Sequence, residues 1–309
     1  MNWLDPVPWC EDGFQLQLQD VYTQLEINER NKQGVEIKGV DFQECLSQDN
    51  PTHRILVEGE PGGGKSTLLR KLALDWANGT KPMKRYDLVV LLELRQITKH
   101  STIIDLIFDQ LLPEDSNIGK QNLHNYLNKH RDSVLILLDG ADELKELFKS
   151  EIMKIVEGKL LRECIVIITS RAIGLGQLNR HVHKHYIIKR LSVDNINLYI
   201  QKFFNDDEQA NKLTNDIEER DIESFASNPL NLALICILYE DCDKTLPTKL
   251  SELYYLLTVC AYKRYCLKNN ICNPSDISIN DCPQFKNLIS RLGKMAYNGI
   301  KEGRLLAFK

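Results

Sequence analysis

From His53 to about residue 190, apolar runs of strand length alternate with segments whose apolar residues recur at helical spacing. "HRILVEG" (53–59) is a short β-type run, and "KSTLLRKLALDWA" follows with Leu68, Leu69, Leu72 and Trp76 at helical intervals. "YDLVVLLEL" (86–94) is almost continuously apolar, as a strand buried on both faces should be. "STIIDLIFDQLL" predicts a helix capped by Ser101, and "QNLHNYLNKH" predicts another. "SVLILLDGADEL" is the third strand with an acidic exit, "ECIVIITSR" the fourth and "HYIIKRL" a fifth. No hairpin signal interrupts this alternation. It predicts βαβ units, hence an α/β fold with a parallel sheet between helices.

The pattern changes after "RLSVDNINLYIQKFF". Up to about Asn270 apolar residues fall only at helical spacing, with one break at Asn228-Pro229. The last stretch predicts a helix, a glycine stop and an extended start. The expected organisation is a lead-in over 1–50, an α/β domain over 51–190 and a helical domain over 191–270. A third unit begins in 271–309 and looks cut off part-way.

Composition narrows the function classes. A length of 309 residues allows two or three domains, and 43% apolar with 27% charged residues is ordinary for a soluble globular chain. A formal net charge of -4 argues against a generally basic nucleic-acid-binding chain. No apolar run approaches the roughly 18–20 residues of a membrane span. The amino terminus lacks the basic start and apolar stretch of a secretory signal, so the expected address is cytoplasmic. Nine cysteines without a CxxC pair read as reduced thiols, and the spacing of Cys260, Cys266, Cys272 and Cys282 does not match the usual zinc pairs. His181, His183 and His185 would share one strand face; a solvent-facing start of a strand explains them better than a metal site.

Chemistry concentrates in three places. "GEPGGGKS" fits G-x-x-x-x-G-K-[ST] between a strand and an amphipathic helix, which makes the loop a phosphate cradle. Its residues are Gly59, Glu60, Pro61, Gly62, Gly63, Gly64, Lys65 and Ser66, with Thr67 the natural α-phosphate neighbour. The glycines let backbone N–H groups turn toward phosphate oxygens, and the helix start adds its positive dipole end. Lys65 would reach the β- and γ-phosphates and Ser66 would ligate Mg²⁺. Asp139, where the third strand emerges, can hold that metal from the opposite side. Either Asp142 or Glu143 could orient or deprotonate an attacking water, and Asp142 could equally cap the next helix. Arg171 leaves the neighbouring strand, where it could stabilise a γ-phosphate or form a local ion pair.

Taken together, "ILVEGEPGGGKSTLLRKLALDWA", "LILLDGADEL" and "IITSR" resemble the NACHT domain of the signal-transduction P-loop NTPases related to AAA+ proteins. "LQDVYTQLEI" resembles the segment preceding NACHT domains in animal NOD-like receptors. "SNPLNLALICILY" resembles a helical-domain motif whose proline packs on adenine, which implies Pro229 as a base contact. "LPTKLSELYYLLTVCAYKRY" and "LGKMAYNGIKEGRLLAF" resemble a later helical domain and the opening of a winged helix. The resemblance implies an ATP/ADP switch that self-associates as a homo-oligomer in its ATP state, hydrolyses ATP slowly and serves innate immune signalling. It also implies the adenine preference, since the phosphate motifs do not read the base. No histidine follows His185, so a winged-helix histidine of the NOD-like-receptor kind would lie beyond Lys309. Two other classes remain open on the residues alone: a nonenzymatic scaffold stabilised by nucleotide, and a P-loop small-molecule kinase. The kinase would want an arginine-rich lid, and no arginine-dense insertion is present.

Overall fold

The computed structural model describes residues 3–4, 16–37, 39–40, 42–47, 53–96, 102–143, 151–172, 178–241, 245–247, 249–268 and 283–301. Strands β1 (Trp3–Leu4) and β2 (Leu16–Gln17) pair with each other ahead of helix α1 (Leu18–Val21). β3 (Ile27–Arg30) and β4 (Glu36–Ile37) form a hairpin, followed by α2 (Phe42–Ser47). Alternation then runs through β5 (Arg54–Glu58), α3 (Lys65–Ala77), β6 (Leu88–Glu93), α4 (Ile103–Leu111) and α5 (Lys120–Lys129). It continues with β7 (Val134–Asp139), α6 (Glu151–Val156), β8 (Ile165–Ser170) and β9 (Lys184–Ile188). Among the described residues only helices follow: α7 (Val193–Phe204), α8 (Asp207–Glu219), α9 (Glu223–Ala226), α10 (Pro229–Asp241), α11 (Leu250–Lys268) and α12 (Pro283–Lys301).

The main sheet has the order β4-β3-β9-β5-β8-β7-β6, and the run from β9 to β6 is parallel throughout. Successive residues of the central strands point to opposite faces. Ile55, Val57, Leu135, Leu137, Ile165 and Ile167 join the core beneath α3, while Leu56, Ile136, Leu138, Val166 and Ile168 join the core beneath α4 and α6. Burial on both faces is why these strands read as unbroken apolar runs. The first of these cores continues through Ile196, Ile200, Leu213, Leu232 and Leu253, so α7, α8, α10 and α11 pack onto the same apolar body as the sheet. Charged side chains also lie inside, Asp75 and Arg54 among them. Arg54 is 2% exposed and donates to the carbonyls of Ile155, His53, Cys164 and Leu161 at 2.7, 2.8, 2.7 and 3.1 Å, tying the end of α6 to β5.

Three expectations change. The sheet does not begin at residue 53: β3 adds antiparallel to β9, with Ile27 opposite Ile188, so the lead-in carries a strand pair. "INER" has one apolar residue in four, since the buried Asn28 is polar and Glu29 and Arg30 are only half-buried, which hid it from periodicity. The hairpin turn is set by Gly34 at φ 83 and by the Asn31 carboxamide, which accepts the N–H of Gln33 and Val35. Helix α4 is capped by Thr102 rather than Ser101, which lies outside the described residues; Thr102 and Asp105 close a reciprocal capping box. His185 does not face solvent. It is buried in β9 and bonds Glu58 of β5 at 2.9 Å, while His181 precedes the strand. In the 271–309 segment the described residues form one helix, α12, while Gly303 and the extended start expected after it lie outside them. Cys164, Cys236 and Cys266 are buried thiols outside any disulfide; no side chain is described for Cys260, Cys272 or Cys282. Among the described residues no helix is long and apolar enough to cross a membrane.

Candidate nucleotide site

The glycine-rich loop connects the carboxyl end of β5 to the first turn of α3. Gly59 N–H donates to the Ser170 carbonyl at 3.2 Å, pinning the loop to β8, and Gly63 N–H closes a tight turn on the Glu60 carbonyl at 3.0 Å. Gly62 and Gly64 have φ of +72° and +93°, the left-handed region that side chains avoid. A Cβ on Gly62 would also stand 2.7 Å from Asn228 Oδ1 and 2.8 Å from Leu230 Cβ. Lys65 curls back over the loop, its ammonium donating to the carbonyls of Gly59 and Glu60 at 2.9 Å each. Burial pushes this ammonium below its ordinary value, against the pull of Asp142.

Asp139 ends β7, two strands from the loop. Its Oδ1 accepts the hydroxyl of buried Thr169 at 2.6 Å, and Thr169 Oγ1 accepts Gly140 N–H at 2.9 Å. Thr169 therefore orients the carboxylate. Arg171 satisfies one of its two sequence readings directly: its N–H and Nε meet the Asp142 carboxylate at 3.0 and 3.1 Å, and Nη2 meets Glu143 at 3.4 Å. Both Asp142 oxygens are thus engaged by Arg171. Glu143 is the more open carboxylate, with 40% of its side chain exposed against 12% for Asp142.

A cleft of about 680 Å³ gathers these groups. Pro61 through Thr67, Asp139, Asp142, Glu143, Arg171 and Pro229 all line it, while Gly59 and Glu60 line a second groove instead. Pro229 starts α10 after the short break that the sequence marks. The contact is direct: Asn228 Nδ2 donates to the Pro61 carbonyl at 2.9 Å, and Leu230 N–H donates to the Gly62 carbonyl at 3.2 Å. Arg190 pairs with Glu60 at 3.0 Å. Hard oxygen donors on both sides, the Ser66 hydroxyl and the Asp139 carboxylate, suit Mg²⁺. A larger groove of about 1260 Å³ opens on the other side of the loop. It contains none of Lys65, Ser66 or Asp139, and most of its charges are paired, as Arg30–Glu58, Lys189–Glu36 and Arg190–Glu60.

Several lining residues escaped sequence reasoning. Tyr22, Thr23 and Leu25 bring the lead-in across the cleft, where the Tyr22 carbonyl accepts the Lys202 ammonium and its ring lies under Lys71 at 5.4 Å. Tyr199 and Ala233 add apolar wall from α7 and α10, and burial raises the Tyr22 and Tyr199 phenols well above their ordinary value. Arg70, Glu93 and Arg95 form the far flank. Two signals were available: Arg70 lies one helical turn after Ser66, and Glu93 ends its apolar run as Asp139 does.

With this geometry in place, a family profile for the NACHT domain matches residues 53–207, half of the chain. The chain belongs to the NACHT family. The NACHT chain is thereby a nucleotide-binding P-loop NTPase, a class that usually takes Mg²⁺ with its nucleotide. Human nucleotide-binding oligomerization domain-containing protein 2 is 28% identical over 193 residues, 56% of this chain and 18% of that protein. Human NACHT, LRR and PYD domains-containing protein 3 is 28% identical over 191 residues, again 56% and 18%. NLR family CARD domain-containing protein 4 of Xenopus tropicalis is 28% identical over 215 residues, 69% and 20%. The chain therefore spans a fifth or less of these relatives. Among solved structures, the Thermotoga maritima RuvB Holliday junction branch migration motor covers 67% of this chain and 61% of its own at 10% identity, and its TM-score of 0.37 carries no argument.

Proposed function

We propose that the NACHT chain is an adenine-nucleotide switch that self-associates in its ATP state and resets by slow hydrolysis. The observation that carries this reading is the composition of the cleft. Its walls come from the phosphate loop, from α7 and α10, and from the lead-in segment Val21–Leu25. A nucleotide held there touches all three, so exchanging diphosphate for triphosphate can favour one arrangement of them over another, within the difference in affinity between the two.

In this reading Lys65 binds the β- and γ-phosphates, and the loop N–H groups of Gly62 to Thr67 cradle them. Ser66 and Asp139 hold Mg²⁺, which neutralises phosphate charge when bound. Glu143 is the better candidate to orient the attacking water, because Asp142 is committed to Arg171 through both oxygens. Arg171, held beside the carboxylates, stabilises terminal-phosphate charge once that pairing loosens. Pro229 and its apolar neighbours Tyr199 and Ala233 take the base. The name of human nucleotide-binding oligomerization domain-containing protein 2 supports oligomerisation, and the resemblance to NOD-like receptors suggests an innate immune setting and a cytoplasmic address.

The test is the nucleotide itself. Protein purified without added nucleotide should release ADP or ATP on denaturation, or take up ADP on titration. A non-hydrolysable ATP analogue should then shift it to larger species in light scattering. Absence of any bound or bindable adenine nucleotide would sink the reading.

A further inference from the structure

Three guanidinium groups line the cleft, and they are held in different ways. Arg171 engages both Asp142 and Glu143. Arg70 and Arg95 share a single carboxylate. Glu93 accepts Arg70 Nη2 at 3.4 Å through Oε1, and accepts Arg95 Nε and Nη2 at 3.1 and 2.7 Å through Oε2. Glu93 is itself a fixed post. It ends β6 directly across the ladder from Asp139, and the Gln110 side chain of α4 clamps its peptide, accepting its N–H at 2.9 Å and donating to its carbonyl at 3.1 Å.

The sharing has an energetic consequence. Arg171 must release two carboxylates together to reach a phosphate, a step the reading above reserves for hydrolysis rather than for ground-state binding. If Arg95 swings away, Arg70 stays on Glu93, and the carboxylate keeps a cation. Arg95 is also the most exposed of the three, with 60% of its side chain accessible against 34% for Arg70 and 46% for Arg171. The negative charges of Glu143 and Asp139 add to that of Glu93 in favouring its charged form, as expected for a group facing the metal end of the cleft.

We propose that Arg95 distinguishes a nucleoside triphosphate from a diphosphate: its guanidinium transfers from Glu93 to the terminal phosphate, and Glu93 acts as the competing anion that positions it. The planar fork that now meets a carboxylate suits two phosphate oxygens equally well. The proposal rests on the adenine-nucleotide reading above.

The experiment measures dissociation constants of the full chain for Mg²⁺·ADP and for Mg²⁺ with a non-hydrolysable ATP analogue, in the parent and three variants. Arg95→Gln should weaken the triphosphate analogue roughly tenfold or more while changing ADP by less than about twofold. Glu93→Gln removes the competitor, so it should shift the preference in the opposite direction, toward the triphosphate. Arg95→Lys keeps the charge without the fork and should recover part of the loss. A purely structural role would move both nucleotides together. Equal changes for the two ligands in Arg95→Gln, or a shift in the same direction in Glu93→Gln, overturn the proposal alone if the parent binds. A parent that binds neither nucleotide overturns the proposal and the reading beneath it.

Discussion

At the residue scale, two buried polar groups set testable limits on stability. Arg54 solves a local problem: the end of α6 and the turn into β8 leave carbonyls in an apolar layer, and one guanidinium satisfies them. Burial pushes it down to about 10, so it remains charged at neutral pH. Arg54→Ala should cost about 3 kcal/mol or more, because several buried acceptors lose their donor at once; urea unfolding would measure it. His185 is the second group. Burial lowers its imidazole below the ordinary value of 6.5, against the opposing charge of Glu58. As pH falls below that value the unfolded chain takes up the proton first, so stability falls through the window down to the lower folded value. His183, lowered by burial and then by Arg54, acts in the same direction. The melting temperature should therefore drop between about pH 7 and 5, with a shallower drop in His185→Gln.

At the element scale, the contacts that hold the cleft are short and local. Asn228 caps α10 by accepting the N–H of Leu230 at 3.0 Å, and its amide reaches the phosphate loop. Asn228→Ala should cost about 1 kcal/mol of stability and weaken nucleotide binding, since it removes a cap and an inter-element tie together. Gly62→Ala should do more damage to binding than to folding. The added methyl meets Asn228 and Leu230 in a left-handed backbone, so either the loop or α10 must move. Titrating ADP into both variants and comparing with their urea midpoints separates the two effects. The α4 capping box provides a control away from the site, where Thr102→Ala should lower stability by about 1 kcal/mol and leave nucleotide affinity unchanged.

At the scale of the whole molecule, the prediction concerns coupling between nucleotide and assembly. Lys65→Ala should lose nucleotide and with it the larger species, because the half-buried ammonium is the cation seated on the phosphate loop itself. Glu143→Gln should bind ATP, fail to hydrolyse it and accumulate the assembled form; sedimentation alongside phosphate release reads both. If both variants assembled like the parent, the scaffold reading would replace the switch.

The parts legible in the sequence are those where one physical demand controls a contiguous stretch. Doubly buried strands must be apolar throughout, and helix faces must repeat every three to four residues, so β5 to β9 and the helical tail were readable. A phosphate cradle needs glycine, lysine and a hydroxyl at set spacing, so Gly59 to Ser66 was readable as well. What tertiary structure decided was proximity. Tyr22, Arg95, Arg171 and Pro229 come from four distant segments, and nothing in the spacing of one predicts the others. The β3–β4 hairpin is partly polar because it covers a sheet edge, which leaves it no apolar period. Arg171 shows the same division. Its place at the end of β8 followed from an apolar run reaching its carboxyl end, whereas its attachment to Asp142 and Glu143 depended on the lateral packing of β7 and β8.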